Sequence, residues 1–282
     1  MIFVSSSCVE HTKIKDSILE LASNGFGNIE LSGGTEYYEN YIEDLLVLKK
    51  TFNLRYLIHN YFPPPKEHFV LNLASLNNKI YRQTIDHYKK SIDLAEELDT
   101  FKFGLHAGFL FDPGAKEIGK SINKSIIYNR EKAINRFCEG LLILQNYTSK
   151  VKIYVENNVI SFKNFTNFRL NPFLLTNFES YLELKERFDF LLLLDLAHLK
   201  VSCNTLNLNF QYELEKLLPL SNYIHISDNN AFEDSNKFID RNSQILKALK
   251  DFDIKDKTIT LEIYDTIYNI QYSKKLLTDL YK

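Results

Sequence analysis

Eight short runs rich in apolar, β-branched and aromatic residues alternate with helix-patterned segments along the chain, and this alternation restricts the fold more than any other feature. The strand-like runs are IFVSSS, NIEL, LRYLIHN, FKFGLHAGF, VKIYVENN, the four leucines Leu191 to Leu194 that lead into Asp195, NYIHISDNN and TITLEIY. A continuous apolar run such as the leucine stretch reads as a strand buried on both faces, the kind found in parallel sheets covered by helices. Between the runs, apolar residues recur at helical spacing and predict helices over 14–22, 41–52, 77–98, 130–147, 178–187, 206–218, 243–252 and 270–281. Residues 157–176 form a longer, Asn- and Phe-rich connection that reads as a lid or substrate loop.

Strands that alternate with helices imply a parallel sheet, and eight such units in 282 residues imply closure into a (β/α)₈ barrel. A doubly wound open sheet is the alternative, but no G-x-G-x-x-G follows the first strand. No linker or low-complexity stretch interrupts the pattern, so residues 1–282 are expected to form a single domain.

The formal net charge of -2 offers no electrostatic attraction for nucleic acid or an anionic membrane. Cys8, Cys138 and Cys203 are widely spaced and odd in number, which argues for a reducing compartment rather than a disulfide framework. The start MIFVSSSCVE lacks the basic region and apolar length of a signal peptide, and no segment has the roughly 18 apolar residues a membrane span needs. A cytoplasmic protein is expected.

Polar residues recur where the strands end. Glu30, His59, His106, Glu156, Asp195, His225 and Glu262 lie at or near the ends of strands two to eight, and the active face of such a barrel is built from strand ends. A single His or Glu in that position is ordinary. Seven in succession imply convergence, and the charges of Glu156, Asp195 and Glu262 would repel one another in a dry site unless a cation or protons intervened. Carboxylates mixed with imidazole suit Mn²⁺, Co²⁺, Mg²⁺ or Zn²⁺.

The ordered motifs GFGNIEL, IHN, LHAG, VENN, LDLAH, HISDN and LEIY resemble the xylose isomerase-like TIM-barrel superfamily over essentially the whole chain. LDLAH is similar to that family's D-x-x-H, and HISDN to its H-x-x-D-N segment. The resemblance to its sugar and sugar-phosphate isomerases and epimerases implies one divalent metal held by Glu156, Asp195, His225 and Glu262. It implies proton abstraction next to a carbonyl through a metal-stabilised enediolate, with Glu156 and Glu262 as the acid–base pair. His198 would face the substrate's oxygens as a third catalytic group, and His59, His106, Tyr61 and Glu30 would bind substrate. The implied partner is a small sugar or sugar phosphate, with homo-oligomerisation left open.

The same resemblance extends to endonuclease IV-type enzymes, in which residues matching His59 and His106 would join the others in a multinuclear zinc site acting on abasic DNA. Against that alternative, the segment IDRN (239–242) has Asn242 where that family's Asp-Arg-His motif ends, and the charge does not suit a phosphate-backbone binder. The stretch SDNNAFED lacks an Arg that ketose 3-epimerases carry after the seventh strand, so a dehydratase acting on a polyol ketone or keto acid is a further alternative. A barrel that kept the site for structure alone would be expected to have lost a carboxylate, and none is missing. Tyr61 and Phe62 are the candidates for a ring stacked on substrate, Cys203 is read as a buried or loop thiol, and Lys200 as a candidate phosphate contact.

Overall fold

A computed structural model describes residues 1–114, 117, 122 and 126–280. Eight parallel strands, β1 (Ile2–Ser5), β2 (Asn28–Leu31), β3 (Arg55–His59), β4 (Lys102–His106), β5 (Lys152–Glu156), β6 (Leu191–Asp195), β7 (Ser221–Ile226) and β8 (Thr258–Leu261), pair in sequence order. β1 also pairs with β8, which closes the barrel. The helices are α1 (Ile14–Ser23), α2 (Tyr41–Phe52), α3 (Asn78–Glu97), α4 (Arg130–Tyr147), α5 (Phe162–Phe168), α6 (Phe178–Lys185), α7 (Leu196–Leu206), α8 (Phe210–Leu217), α9 (Gln244–Leu249) and α10 (Ile267–Leu280). The sequence therefore predicts the architecture correctly. Among the described residues no helix is long and apolar enough to cross a membrane.

The pleat explains how this barrel positions its polar residues. Side chains alternate across a strand, so a residue facing the barrel interior is followed two positions later by another. Phe3, Leu57, Tyr154, Leu193 and Tyr223 form one buried cluster. Two residues further along the same strands stand Ser5, His59, Glu156, Asp195 and His225. An apolar plug thus carries a polar layer directly above it, toward the C-terminal mouth. Gly104 belongs to the lower layer, and a Cβ there would lie 2.7 Å from Leu193 Cδ1 and 2.8 Å from His59 Cδ2. Its missing side chain is what lets His59 sit inside the barrel.

Several expected boundaries move, for local reasons. The helix expected at 206–218 is the shorter α8, and an unexpected helix, α7, precedes it, beginning immediately after β6 with the Asp195 carboxylate capping it through the His198 N–H at 2.7 Å. Asn207, in the left-handed region at φ 56°, ends α7, and Asn209 caps α8. The 157–176 connection contains α5, capped by Ser161. The last helix starts at Ile267, earlier than expected, and its expected end at Tyr281 lies outside the described residues.

Candidate functional site

The polar layer converges on Glu156. Its Oε2 is 2.7 Å from His59 Nε2 and 3.3 Å from His106 Nδ1, and its Oε1 is 3.2 Å from His225 Nδ1. His225 Nδ1 also lies 3.4 Å from Glu262 Oε2. Suitable donor atoms of Glu156, Asp195 and His198 fall within 4.8 Å of one another, as do those of Asp195, His225 and Glu262. The strand register enforces this closeness, since His106 pairs with Glu156 and Asp195 with His225 across neighbouring strands.

Burial and charge compete here, and the outcome differs between groups. Burial opposes the charged form of Glu156, yet the His106, His59 and His225 rings hold its carboxyl well below the usual range. Glu262 is likewise disfavoured by burial but brought down to about 2 by His225 and His59. For Asp195 burial wins, and with Glu156 and Asp234 nearby it outweighs His198 and raises the carboxyl to about 7. Burial also lowers His106 to about 4, whereas the carboxylates around His59 and His225 raise those rings against it. The imidazoles around Glu156 and Glu262 thus favour their carboxylate forms.

A family model for the xylose isomerase-like TIM barrel matches residues 18–275. The chain belongs to that family. No curated protein sequence matches it. Among solved structures, a D-tagatose 3-epimerase-like protein is similar at 21% identity and TM-score 0.75, with 99% of this chain and 96% of that one covered. The 3-keto-D-glucoside 4-epimerase from E. coli is similar at 11% identity and TM-score 0.66, covering 99% and 98%. Endonuclease IV from Thermus thermophilus is similar at 13% identity and TM-score 0.62, covering 99% of each chain. At such identities these likenesses speak for the fold.

In this xylose isomerase-like barrel the cluster fits a cation by virtue of its own donor atoms. Glu156 Oε1 and His225 Nδ1 are buried and lack a hydrogen-bond partner among the described residues, although they face each other. Buried polar atoms are normally satisfied, and two convergent orphans beside Glu262 and Asp195 are atoms that a bound cation would satisfy. His225 is aimed for that role from behind. Its Nε2 faces the Glu30 carboxylate, 3.0 Å from Oε1 and hydrogen-bonded to Oε2 at 3.3 Å, a contact that would fix the tautomer and leave the Nδ1 lone pair pointing at the carboxylates.

Glu30, expected to bind substrate, is placed one layer lower. It is fully buried and accepts hydrogen bonds from Tyr223 Oη and, at 2.7 Å, from Thr260 Oγ1. Tyr223 belongs to the apolar plug, so Glu30 sits below the mouth, and it is Ser32, Gly33, Gly34 and Thr35, beyond β2, that reach the cavity. The remaining expected residues come together. His59, His106, Tyr61, His198 and Glu262 all line a cavity of about 1300 Å³ that opens at the mouth. Tyr61 holds a left-handed backbone at φ 64°, and Gly33 passes close beneath it, where a Cβ would come within 3.0 Å of Tyr61 Cβ. Phe62 is fully buried, so Tyr61 alone of that pair faces the cavity. The 157–176 connection contributes Val159, Ser161, Phe162 and Lys163 to the wall.

Two further residues control the site, and sequence reasoning passed over both. Asn157 clamps Asp195, accepting from its N–H at 2.7 Å and donating to its carbonyl at 3.0 Å, while the Asn157 carbonyl lies 2.8 Å from His198 Nδ1. Its place beside Glu156 in VENN was the available signal. Asp234 Oδ2 lies 3.1 Å from His198 Nε2. Nothing in the local pattern SDNNAFED distinguishes this acid, because only the loop's path brings it there. Lys200 sets that path by donating to Asp228 Oδ1 at 2.6 Å and the Asn229 carbonyl at 2.7 Å, so it is engaged with the protein rather than presented to a phosphate. Cys203 is buried in α7, with its thiol raised to about 12 by burial.

Proposed function

We propose that this protein is a divalent-metal-dependent sugar isomerase or epimerase that moves a proton on a carbon next to a carbonyl. The observation that carries the reading is the convergence of Glu156, Asp195, His225 and Glu262, with Glu156 Oε1 and His225 Nδ1 lacking a hydrogen-bond partner among the described residues, beside a sugar-sized or larger cavity that Glu262 lines. The likeness to epimerase structures supports it. Those four residues would hold the cation, which when bound supplies Lewis-acid polarisation of neighbouring substrate oxygens.

The chain's own groups account for the proton. Glu156 and Glu262 are held in the carboxylate form by the imidazoles around them, so either can accept a proton from carbon, and the pair can serve opposite faces of the sugar. His59 and His106, which flank Glu156, orient it and bind substrate hydroxyls. Tyr61 and the other aromatic residues of the wall exclude water and stack on the sugar ring. Glu30 keeps His225 in the ligating orientation from the layer below.

One observation favours a second reading. His59, His106 and Glu156 form a trio within ligand range, as a multinuclear phosphodiester hydrolase of the endonuclease IV type requires. The cavity wall speaks against it. Among its described residues Lys163 is the only Lys or Arg, while Glu233, Asp234 and Glu262 are acidic, an unfavourable surface for a phosphate backbone. The deciding experiment is metal analysis of the purified protein, followed by incubation with a panel of ketoses, aldoses and polyol ketones in D₂O. Deuterium entering a carbon next to the carbonyl is the expected result. No exchange with any sugar, together with cleavage of abasic DNA and about three zinc ions per chain, as a multinuclear site would hold, overturns the proposal.

A further inference from the structure

His198 has no ring nitrogen left for a substrate. Its Nδ1 lies 2.8 Å from the Asn157 carbonyl and its Nε2 3.1 Å from Asp234 Oδ2, so both nitrogens face acceptors within the protein. The order of burial is informative. The His198 side chain is 10% exposed and that of Asp234 is 22% exposed, and both line the cavity. The chain of contacts therefore runs outward from the Asn157 backbone through the imidazole to the carboxylate. Asp234 Oδ1 is buried and has no hydrogen-bond partner among the described residues, so a substrate contact falls to Oδ2, which carries a lone pair beyond the one turned to His198.

The loop that carries Asp234 is fixed at both ends rather than draped over the mouth. Asp228 and Lys237 exchange two backbone hydrogen bonds of 2.8 and 2.7 Å, and Ser227 Oγ donates to Asn236 Oδ1 at 3.0 Å. Asn229 Nδ2 donates to the Ala197 carbonyl at 3.0 Å, and Lys200 holds Asp228, so the loop is tied to α7, the helix that bears His198. A carboxylate anchored in this way is part of a built wall.

We propose that Asp234, with His198 as the group that positions it, is the residue that meets the substrate on this side of the cavity, where it accepts a hydrogen bond from a sugar hydroxyl. The inference rests on the proposed function of the same site. Its chemical consequence is selectivity. A carboxylate beside Glu233 welcomes a neutral hydroxyl and repels a phosphate or carboxylate group brought to the same place.

The test uses the metal-loaded full chain with Asp234→Asn, Asp234→Ala and His198→Gln, and with D-tagatose and D-fructose and their 6-phosphate esters as probes. Loss of a hydrogen bond to a charged acceptor should raise KM for the free sugar roughly 10- to 100-fold in Asp234→Ala while kcat changes far less. His198→Gln should raise KM less than Asp234→Ala does, and Asp234→Asn should narrow the preference for free sugar over phosphate ester. Thermal melting and metal content of each variant report the fold, and Asp234→Asn, equal in size, serves if Asp234→Ala does not fold. A KM that is unchanged or lowered in the Asp234 variants, combined with a raised KM in His198→Gln, overturns the inference, because His198 would then be the contact and Asp234 its cover. That failure is distinct from failure of the proposed function, which shows as wild-type protein that exchanges no deuterium.

Discussion

Glu30 offers the sharpest test of how this site is organised, because it faces His225 at Nε2 while Glu156 and Glu262 face the same ring at Nδ1. The perturbation is Glu30→Gln, which keeps size and shape while removing the charge that faces His225 Nε2 at 3.0 Å. In the wild-type protein that carboxylate orders the ring so that Nδ1 faces Glu156 Oε1 at 3.2 Å and Glu262 Oε2 at 3.4 Å. The amide can still accept the imidazole N–H through its oxygen, so the loss is one of ligand basicity and orientation rather than of fold. Removal of such an outer partner typically weakens metal binding about 10- to 100-fold, or about 1.4–2.8 kcal/mol. The upper half of that range is expected, because Glu30 is fully buried and no water can take its place. The assay is calorimetric titration of metal-free protein with Mn²⁺ and with Co²⁺, accompanied by thermal melting. Affinity within threefold of wild type, in a variant that melts normally, would refute the idea that Glu30 tunes His225.

The same contacts give four shorter predictions. Glu156→Gln and Glu262→Gln should each cut turnover by roughly 10²- to 10⁴-fold, the range lost with a general acid or base, while circular dichroism remains unchanged. Treatment with a chelator should lower the melting temperature, and Mn²⁺ at a hundredfold excess over its Kd should restore about 2.7 kcal/mol to a protein that binds it only when folded. Gly104→Ala should destabilise the fold by about 1–3 kcal/mol in urea titration, since the new methyl meets Leu193 and His59 within the barrel. His87 is lowered to about 4, mainly by burial and further by Lys90, so the folded protein resists a proton that the unfolded chain takes up near pH 6.5. Its contribution is full above pH 6.5 and is lost as the pH falls toward 4, by about 3 kcal/mol at most, and His87→Leu should flatten the urea midpoint over that window.

The eightfold barrel was legible because its signal is redundant. Each strand is short and bounded, each helix carries its own periodicity, and a misplaced boundary leaves the count intact. The boundary between β6 and α7 moves because a side chain acts on backbone. Asp195 reads as the last residue of a strand, yet its carboxylate also caps α7, so a helix begins where a loop was expected. The strand-end residues were legible as a set for a related reason. In a closed barrel, position along the strand is position in space, and the two-residue pleat carries the plug of Leu57, Tyr154, Leu193 and Tyr223 into the polar layer of His59, Glu156, Asp195 and His225.

What stayed hidden depends on depth and on loop path, neither of which periodicity encodes. Glu30 ends its strand's apolar run as Glu156 does, but β2 enters the barrel in a register that sets it beside Tyr223 and Thr260, one layer below the cavity. The sequence therefore assigns it to the substrate, whereas the geometry hands it to His225. Asp234 is hidden the other way, as one acid in a polar loop that becomes specific only when Lys200, Asn229 and the Asp228–Lys237 pairing bring it onto His198. Both residues face an imidazole, one that of His225 and one that of His198. The carboxylates of this site are thus of two kinds: Glu156, Asp195 and Glu262 are the proposed ligands of a cation, while Glu30 and Asp234 each direct charge at a histidine. Substitutions in the first group should therefore appear in metal content and turnover, those in the second in metal affinity and KM, and a panel in which the two groups give the same pattern would mean that this division of the site is wrong.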